Sequence, residues 1–149
     1  MEHVAPLHVD PSHRRSLLLQ AAQMRYDERR KRSAIFGHSE LFGEPAWDIL
    51  LDLYIAHAKG KEVSVSSACI GSAVPPTTGL RWLGILQATG LVVREHDSGD
   101  QRRVLVRLSH EGIEKMEAFL TVHGPRGHAL HMPRREPGDA FSAEISQET

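Results

Sequence analysis

The chain has 149 residues, 40% of them apolar and 25% charged, a balance that points to one soluble globular domain with loose ends. Its formal charge of -1 means that any nucleic-acid contact must come from a local basic face rather than from overall basicity. The single cysteine, Cys69, rules out an intramolecular disulfide, and 5% aromatic residues argue against a stacking platform for single strands.

Residues 1–11 hold two prolines and little periodicity, and are expected to form a flexible arm. Their composition lacks the apolar core of a signal peptide, and no apolar run reaches the roughly 18 residues a membrane span needs, so a cytoplasmic location without membrane contact is expected. From Ser12 to Phe36 the pattern is helical, giving an N-terminal helical unit over 12–37. Ser12 is the expected cap, because its hydroxyl can accept from a first-turn N–H. Leu17, Leu18, Ala21 and Ala22, extended by Met24 or Arg25, make an apolar stripe at helical spacing. The run Arg25–Arg32 sets five basic against two acidic residues. It reads either as a solvated face with pairs such as Glu28 and Arg32, or as a phosphate-facing patch.

Gly37 should stop this helix, with Phe36 and Phe42 anchoring the turn-rich connector to a core. Pro45 suits a first helical position, since its φ is pre-set and its missing N–H costs nothing there. In the helix Ala46–Ala58 the residues Ile49, Leu50, Leu53, Tyr54 and Ala56 cover a wide face, Trp47 reads as core, and Lys59-Gly60 ends it. Glu62–Val65 allows one strand bridge, and Ser64 should cap a short helix over roughly Val65–Ala73. That helix is built of small residues that let another cross closely. Val74-Pro75-Pro76 makes a turn, because a residue before proline is pushed out of the helical region.

A second helix follows over about 76–89, and Gly90 stops it. Two helices joined by a short turn form a helix-turn-helix, whose second member enters the DNA major groove. Leu80, Leu83 and Leu86 are expected in the core, and Trp82 is expected to pack under the hairpin. Leu91–His96 and Arg103–Leu108 are strand-prone runs flanking DSGDQR, a hairpin with arginines at its tip. Ser109 should cap a last helix with Gly112 early in it and Ile113, Met116, Ala118, Phe119 and Leu120 on its apolar face. Residues 123–149, with three prolines, three glycines and no periodicity, are expected to be a disordered tail. The fold class is therefore mainly α with a small β wing: a winged helix-turn-helix over 44–120, a helical N-terminal extension and a disordered C-terminal tail.

Taken together, Ser64-Val65-Ser66, Thr77-Thr78 with Arg81, Gly90-Leu91-Val92, the wing Asp97–Arg103, and Val106, Leu108, Ser109 and Gly112 resemble the MarR family of winged-helix transcriptional regulators. The resemblance implies a bacterial-type regulator that binds double-stranded DNA in sequence-specific fashion. It implies Pro76, Thr77, Thr78 and Arg81 as major-groove contacts, Arg102 and Arg103 as wing contacts in the minor groove, and Asp100 as the acid that holds the wing. A guanidinium stays charged and suits a narrow, negative minor groove, and an acid two residues back could fix its rotamer. The alternative for Asp100 and Arg102 is a salt-bridged turn with no further role.

The chain departs from the family in two ways. Gly79 and Gly84 lie inside the reading helix, each at a cost of about 0.8–1 kcal/mol relative to Ala, with close approach of Cys69 and Ser72, or of a phosphate, as the gain. For Cys69, packing is the stronger reading than a redox role, no basic neighbour being evident in the sequence. The helical length after the wing is also short for the family's dimer and its associated ligand pocket. A homodimer would therefore draw on 13–36 and 109–122, with the stripe Leu17, Leu18, Ala21 and Ala22 as the candidate surface. A small-molecule effector, if one exists, is not named by the sequence. The ten histidines are scattered, so no metal and no cofactor are expected, and no catalytic arrangement stands out. The reading that competes with DNA binding is a winged-helix module docking a protein partner.

Overall fold

A computed structural model describes residues 10–37 and 43–122. Residues 1–9 of the expected arm over 1–11, the tail over 123–149 and Phe42 lie outside the described residues. Within them the order is α1 (Pro11–Phe36), α2 (Pro45–Ala58), β1 (Val63–Ser64), α3 (Val65–Gly71), α4 (Pro76–Ala88), β2 (Val92–His96), β3 (Val104–Leu108) and α5 (His110–Val122). The strands form one antiparallel sheet in the order β1-β3-β2. This is a winged helix-turn-helix preceded by a long helix. No helix among the described residues is long and apolar enough to cross a membrane.

The expected boundaries hold where local chemistry sets them. Pro45 and Pro76 open their helices at the first position. The Ser64 hydroxyl accepts from the Ser67 N–H at 3.1 Å, and that of Ser109 accepts from the Gly112 N–H at 3.0 Å, each satisfying a first-turn donor that lacks an intrahelical partner. Gly90 takes φ 81°, a left-handed conformation glycine reaches without a Cβ clash, and it turns the chain from α4 into β2. The N-terminal cap differs from expectation. Asp10 is the capping residue and makes no side-chain cap bond, and Ser12, already inside the helix, donates to the Asp10 carboxylate instead. Pro11 belongs to α1, not to the arm.

Leu18, Ala21, Ala22, Ile49, Leu51, Leu53, Tyr54, Ala68, Cys69, Leu83, Leu86, Val92, Val106, Leu108, Met116 and Leu120 form one continuous core. The apolar stripe of α1 is therefore mostly buried inside its own chain. Leu18, Ala21 and Ala22 leave no surface for a second copy, which corrects the expected dimerisation surface. The large apolar side chains that α1 does expose are Met24, Ile35 at 80% and Phe36 at 61%. Phe36 is thus not a core anchor. Trp47 is half-buried, with the Phe119 ring edge-on at 5.0 Å.

The basic run of α1 follows neither expected reading at two of its arginines. Arg29 turns inward and pairs with Asp48 of α2, its Nη2 donating to Asp48 Oδ2 at 3.1 Å, and also reaches Glu44 at 3.1 Å. The side chains of Arg29 and Asp48 are only 12% and 11% exposed. The Asp48 hydrogen bond raises the pKa of the Arg29 guanidinium above its usual value, against the lowering effect of burial. Arg30 donates to the Gly71 carbonyl.

Candidate nucleic-acid interface

The pair α3–α4 is held closely because one crossing position has no side chain. A Cβ on Gly79 would lie 3.0 Å from the Cβ and Sγ of Cys69 and 3.2 Å from its Cα. Cys69 is buried at this crossing, as expected of a packing residue. Burial raises its thiol pKa, and the Arg94 charge opposes that shift. A basic neighbour therefore exists that sequence reasoning did not identify.

The N-terminal half of α4 faces outward. Pro76, Thr77 and Arg81 are exposed, and Thr78 is half-buried. Pro75 supplies no side-chain cap, and the first backbone N–H that closes onto the preceding turn is that of Gly79, to Pro75 O at 3.0 Å. The positive end of the helix is thus left without a side-chain cap in a first turn where Pro76 and Thr77 are exposed, an arrangement that favours an anion. The Arg81 guanidinium lies 5.9 Å from the ring centroid of Trp82, and Trp82 itself is half-buried against the core. Leu83 and Leu86 are buried as expected, whereas Leu80 is 45% exposed. Leu80 is corrected from core to surface, because its side of α4 fronts the wing instead of the core.

The wing is a turn built by two aspartates acting on the backbone. Asp97 Oδ1 accepts from the Gly99 N–H at 2.9 Å, and Asp100 Oδ1 accepts from the Arg102 N–H at 3.0 Å. The Asp97 N–H donates to Arg103 O at 2.9 Å, and the Arg103 N–H donates to Asp100 O at 3.0 Å. Asp100 thus holds the main chain of Arg102, not its guanidinium, which corrects the idea that it fixes the side-chain rotamer. Among the described residues no hydrogen bond or ion pair engages the Arg102 guanidinium. Arg103 sits 3.6 Å from Asp97 Oδ2, so only one of the two tip arginines is a salt-bridged turn element.

Between the start of α3, Leu80 and the wing lies an open cleft of about 570 Å³, lined by arginines 94, 102 and 103 together with Ser64, Ser66 and Asp100. Arg94 is the residue that sequence reasoning missed. It pairs in register with Val106, and alternation along a strand places it on the same face as that buried valine. Its guanidinium comes within 4.0 Å of where a Cβ on Gly84 would stand. Its Nε is buried and has no hydrogen-bond partner among the described residues. The available signal was Val92-x-Arg94 in a half-buried strand, opposite a helix carrying a glycine. Unsatisfied buried donors are rare and call for a physical account. Here the donor belongs to a cation at the wall of an otherwise arginine-lined cleft.

No protein-family model matches the chain, and no curated protein matches it. Among solved structures, the chain is similar to a MarR family transcriptional regulator from Silicibacter pomeroyi, with 23% identity and a TM-score of 0.49 over 89% of this chain and 86% of that one. It is similar to wild-type MarR from E. coli in its apo form, with 18% identity and a TM-score of 0.48 over 85% and 82% of the two chains. Against ZitR of Lactococcus lactis the identity is 18% and the TM-score 0.43, and the match spans 53% of this chain and 50% of that chain. The winged helix-turn-helix itself is read from this chain's own order of elements and strand pairing.

Proposed function

We propose that this chain binds double-stranded DNA as a MarR-like transcriptional regulator, with the first half of α4 in the major groove and the wing in the adjacent minor groove. The observation that carries the reading is the state of the cleft arginines. Arg102 is uncompensated among the described residues, and Arg94 has a buried N–H without an acceptor. A phosphate oxygen is the acceptor that the exposed Arg102 guanidinium lacks, with Arg94 adding positive charge behind it, and phosphate contacts fix a protein's register on a duplex. In this reading Pro76, Thr77, Thr78 and Arg81 face base edges and phosphates, Arg102 and Arg103 flank the minor groove, and Asp100 holds the turn that presents them. A homodimer would bring two such units to one duplex. The exposed Met24, Ile35 and Phe36 of α1 and Val122 of α5 are its surface in this reading, in place of the buried stripe.

Arg102→Ala tests the assignment on a duplex selected from a random library. Affinity should fall about tenfold, and the slope of log K against log salt should shrink by about one unit, as loss of one backbone or groove cation does. Unchanged binding to selected and random duplexes alike would remove the wing from the mechanism. A wild-type protein that ignores duplex DNA at low salt would favour the competing reading, a winged-helix module that docks a protein.

A further inference from the structure

The last turn of a helix leaves carbonyls without intrahelical donors, and in α3 each carbonyl from Ala68 to Gly71 has an identifiable partner. Ala68 O accepts from the Ser72 N–H at 3.2 Å, and Ile70 O accepts from the Ala73 N–H at 3.1 Å. Cys69 O accepts from the Ser72 hydroxyl at 2.6 Å. These three donors come from the turn itself. The fourth carbonyl, that of Gly71, is served from outside the helix-turn-helix. It accepts from the Tyr26 hydroxyl at 3.2 Å and from Arg30 Nη2, both on α1. Arg30 Nη2 also donates to the Tyr26 hydroxyl at 3.0 Å, and its guanidinium lies 4.9 Å from the Tyr26 ring centroid. A cation at the negative end of a helix is favourably placed, and charge-assisted bonds are stronger than neutral ones.

Two further observations bear on the junction. A Cβ on Gly71 would come 2.8 Å from Asp52 Oδ2 of α2, so the carboxylate end of an α2 side chain also reaches the residue that α1 contacts. Two residues later Ala73 takes φ 54°, a left-handed conformation that non-glycine residues hold only where their surroundings enforce it. The turn leading into α4 is thus a strained segment, tethered at its origin by α1.

We propose that Tyr26 and Arg30 are positioning residues for the reading helix: they clamp the last carbonyl of α3 and thereby fix the angle at which α4 meets DNA. The proposal rests on the DNA-binding reading above and extends it to residues on another helix, 41 and 45 positions away from Gly71 in sequence. It also gives any event that moves α1 a mechanical route to the reading helix.

The test uses the full chain with Arg30→Met, Arg30→Lys and the milder Tyr26→Phe. The probes are a duplex selected from a random library and the unselected pool. Arg30→Met should weaken the selected duplex about tenfold, the scale of one charge-assisted hydrogen bond, and weaken the pool by less than half of that factor. The salt slope should not change, because Arg30 touches no phosphate in this arrangement. Arg30→Lys, which keeps a charged donor, should recover most of the loss, and Tyr26→Phe should cost about threefold. Amide exchange across Ser72–Leu80 should accelerate in Arg30→Met ahead of the rest of the core. Binding within twofold of wild type, a slope reduced by about one unit, or unaltered exchange would each overturn the proposal. Wild-type protein that ignores both probes at low salt overturns the DNA reading instead, and the exchange measurement then reports separately on the clamp.

Discussion

Arg29 and Arg30 on α1 and Arg102 and Arg103 at the wing tip are both Arg-Arg pairs in the sequence, yet their surroundings differ throughout. Arg29 lies against two acids, Asp48 and Glu44, with its guanidinium nearly covered. Arg30 is directed onto a helix-terminal carbonyl and a tyrosine hydroxyl. At the wing the acids are engaged elsewhere: Asp100 and Asp97 accept from backbone N–H groups of the turn. That leaves Arg102 without a partner among the described residues and Arg103 with a long contact of 3.6 Å. A basic run is therefore no guide to an interface by itself. What separates the two regions is where the neighbouring carboxylates put their lone pairs. In one they neutralise a guanidinium inside the fold; in the other they shape the main chain and leave the cation outside.

The largest effect that would break this contrast is at Arg29. Arg29→Ala strands the Asp48 carboxylate in a buried site, and breaking one side of a buried pair costs about 3–5 kcal/mol. Urea denaturation should show a loss of that size, and Asp48→Ala a similar one. The double change to Met and Leu should recover much of it, because an apolar pair of similar volume leaves no uncompensated charge. A loss below about 1 kcal/mol for Arg29→Ala would place Arg29 with the surface arginines, where ion pairs contribute little.

Arg102→Ala is the mirror experiment. Its stability should stay within about 0.5 kcal/mol of wild type, as for a surface substitution with no partner, while duplex affinity falls as described above. A stability loss matching that of Arg29→Ala would mean that the wing tip supports the fold, and the two regions would no longer be opposites.

Much of this architecture was legible in the sequence because it is set locally. Pro45 and Pro76 start helices, Ser64 and Ser109 cap them, and Gly37 and Gly90 end them, each through a bond or a φ value within a few residues. The wing was legible for the same reason, since DSGDQR closes on itself. What escaped was set by partners far away in sequence. Periodicity placed Leu80 on an apolar row, but the wing's position decides whether that row is covered, and Leu80 remains open to the cleft. The stripe of α1 was recognised as apolar, but which surface would cover it depended on α2. Arg94 was hidden inside a strand pattern whose inward face is otherwise mostly apolar. Asp100 was correctly placed in the wing, yet residue spacing alone could not distinguish a bond to the Arg102 backbone from one to its side chain.

A smaller effect separates the two glycines of α4. Gly79 abuts Cys69, so its absence of a side chain is needed for packing. A Cβ on Gly84 would find Arg94 Nη2 at 4.0 Å and nothing nearer. Gly84→Ala should therefore stabilise the protein by about 0.8–1 kcal/mol through helix propensity alone, whereas Gly79→Ala should lose stability despite the same gain. Denaturation midpoints of the two variants side by side check this. A loss at Gly84 would mean that α4 and Arg94 approach more closely than the cleft geometry implies.

The smallest effect concerns the acid that faces Arg30. Asp52 lies in the junction where a Cβ on Gly71 would touch its carboxylate. Burial raises its pKa above 3.8, and the attraction of Arg30 only partly opposes that rise. The folded chain consequently keeps this proton to a higher pH than the unfolded chain does. Between the unfolded value and the raised folded one, the folded state binds more protons, so this group's contribution to stability falls as pH rises through that window and is flat above it. Asp52→Asn removes the titration. Relative to wild type, the variant should gain ground as pH is raised from about 4 to about 7, and near neutral pH it should be at least as stable. Urea midpoints across that range give the answer. If Asp52→Asn is instead clearly less stable at neutral pH, the Asp52–Arg30 attraction outweighs desolvation. The clamp on Gly71 would then be an ion-pair network of the same kind as Arg29 with Asp48.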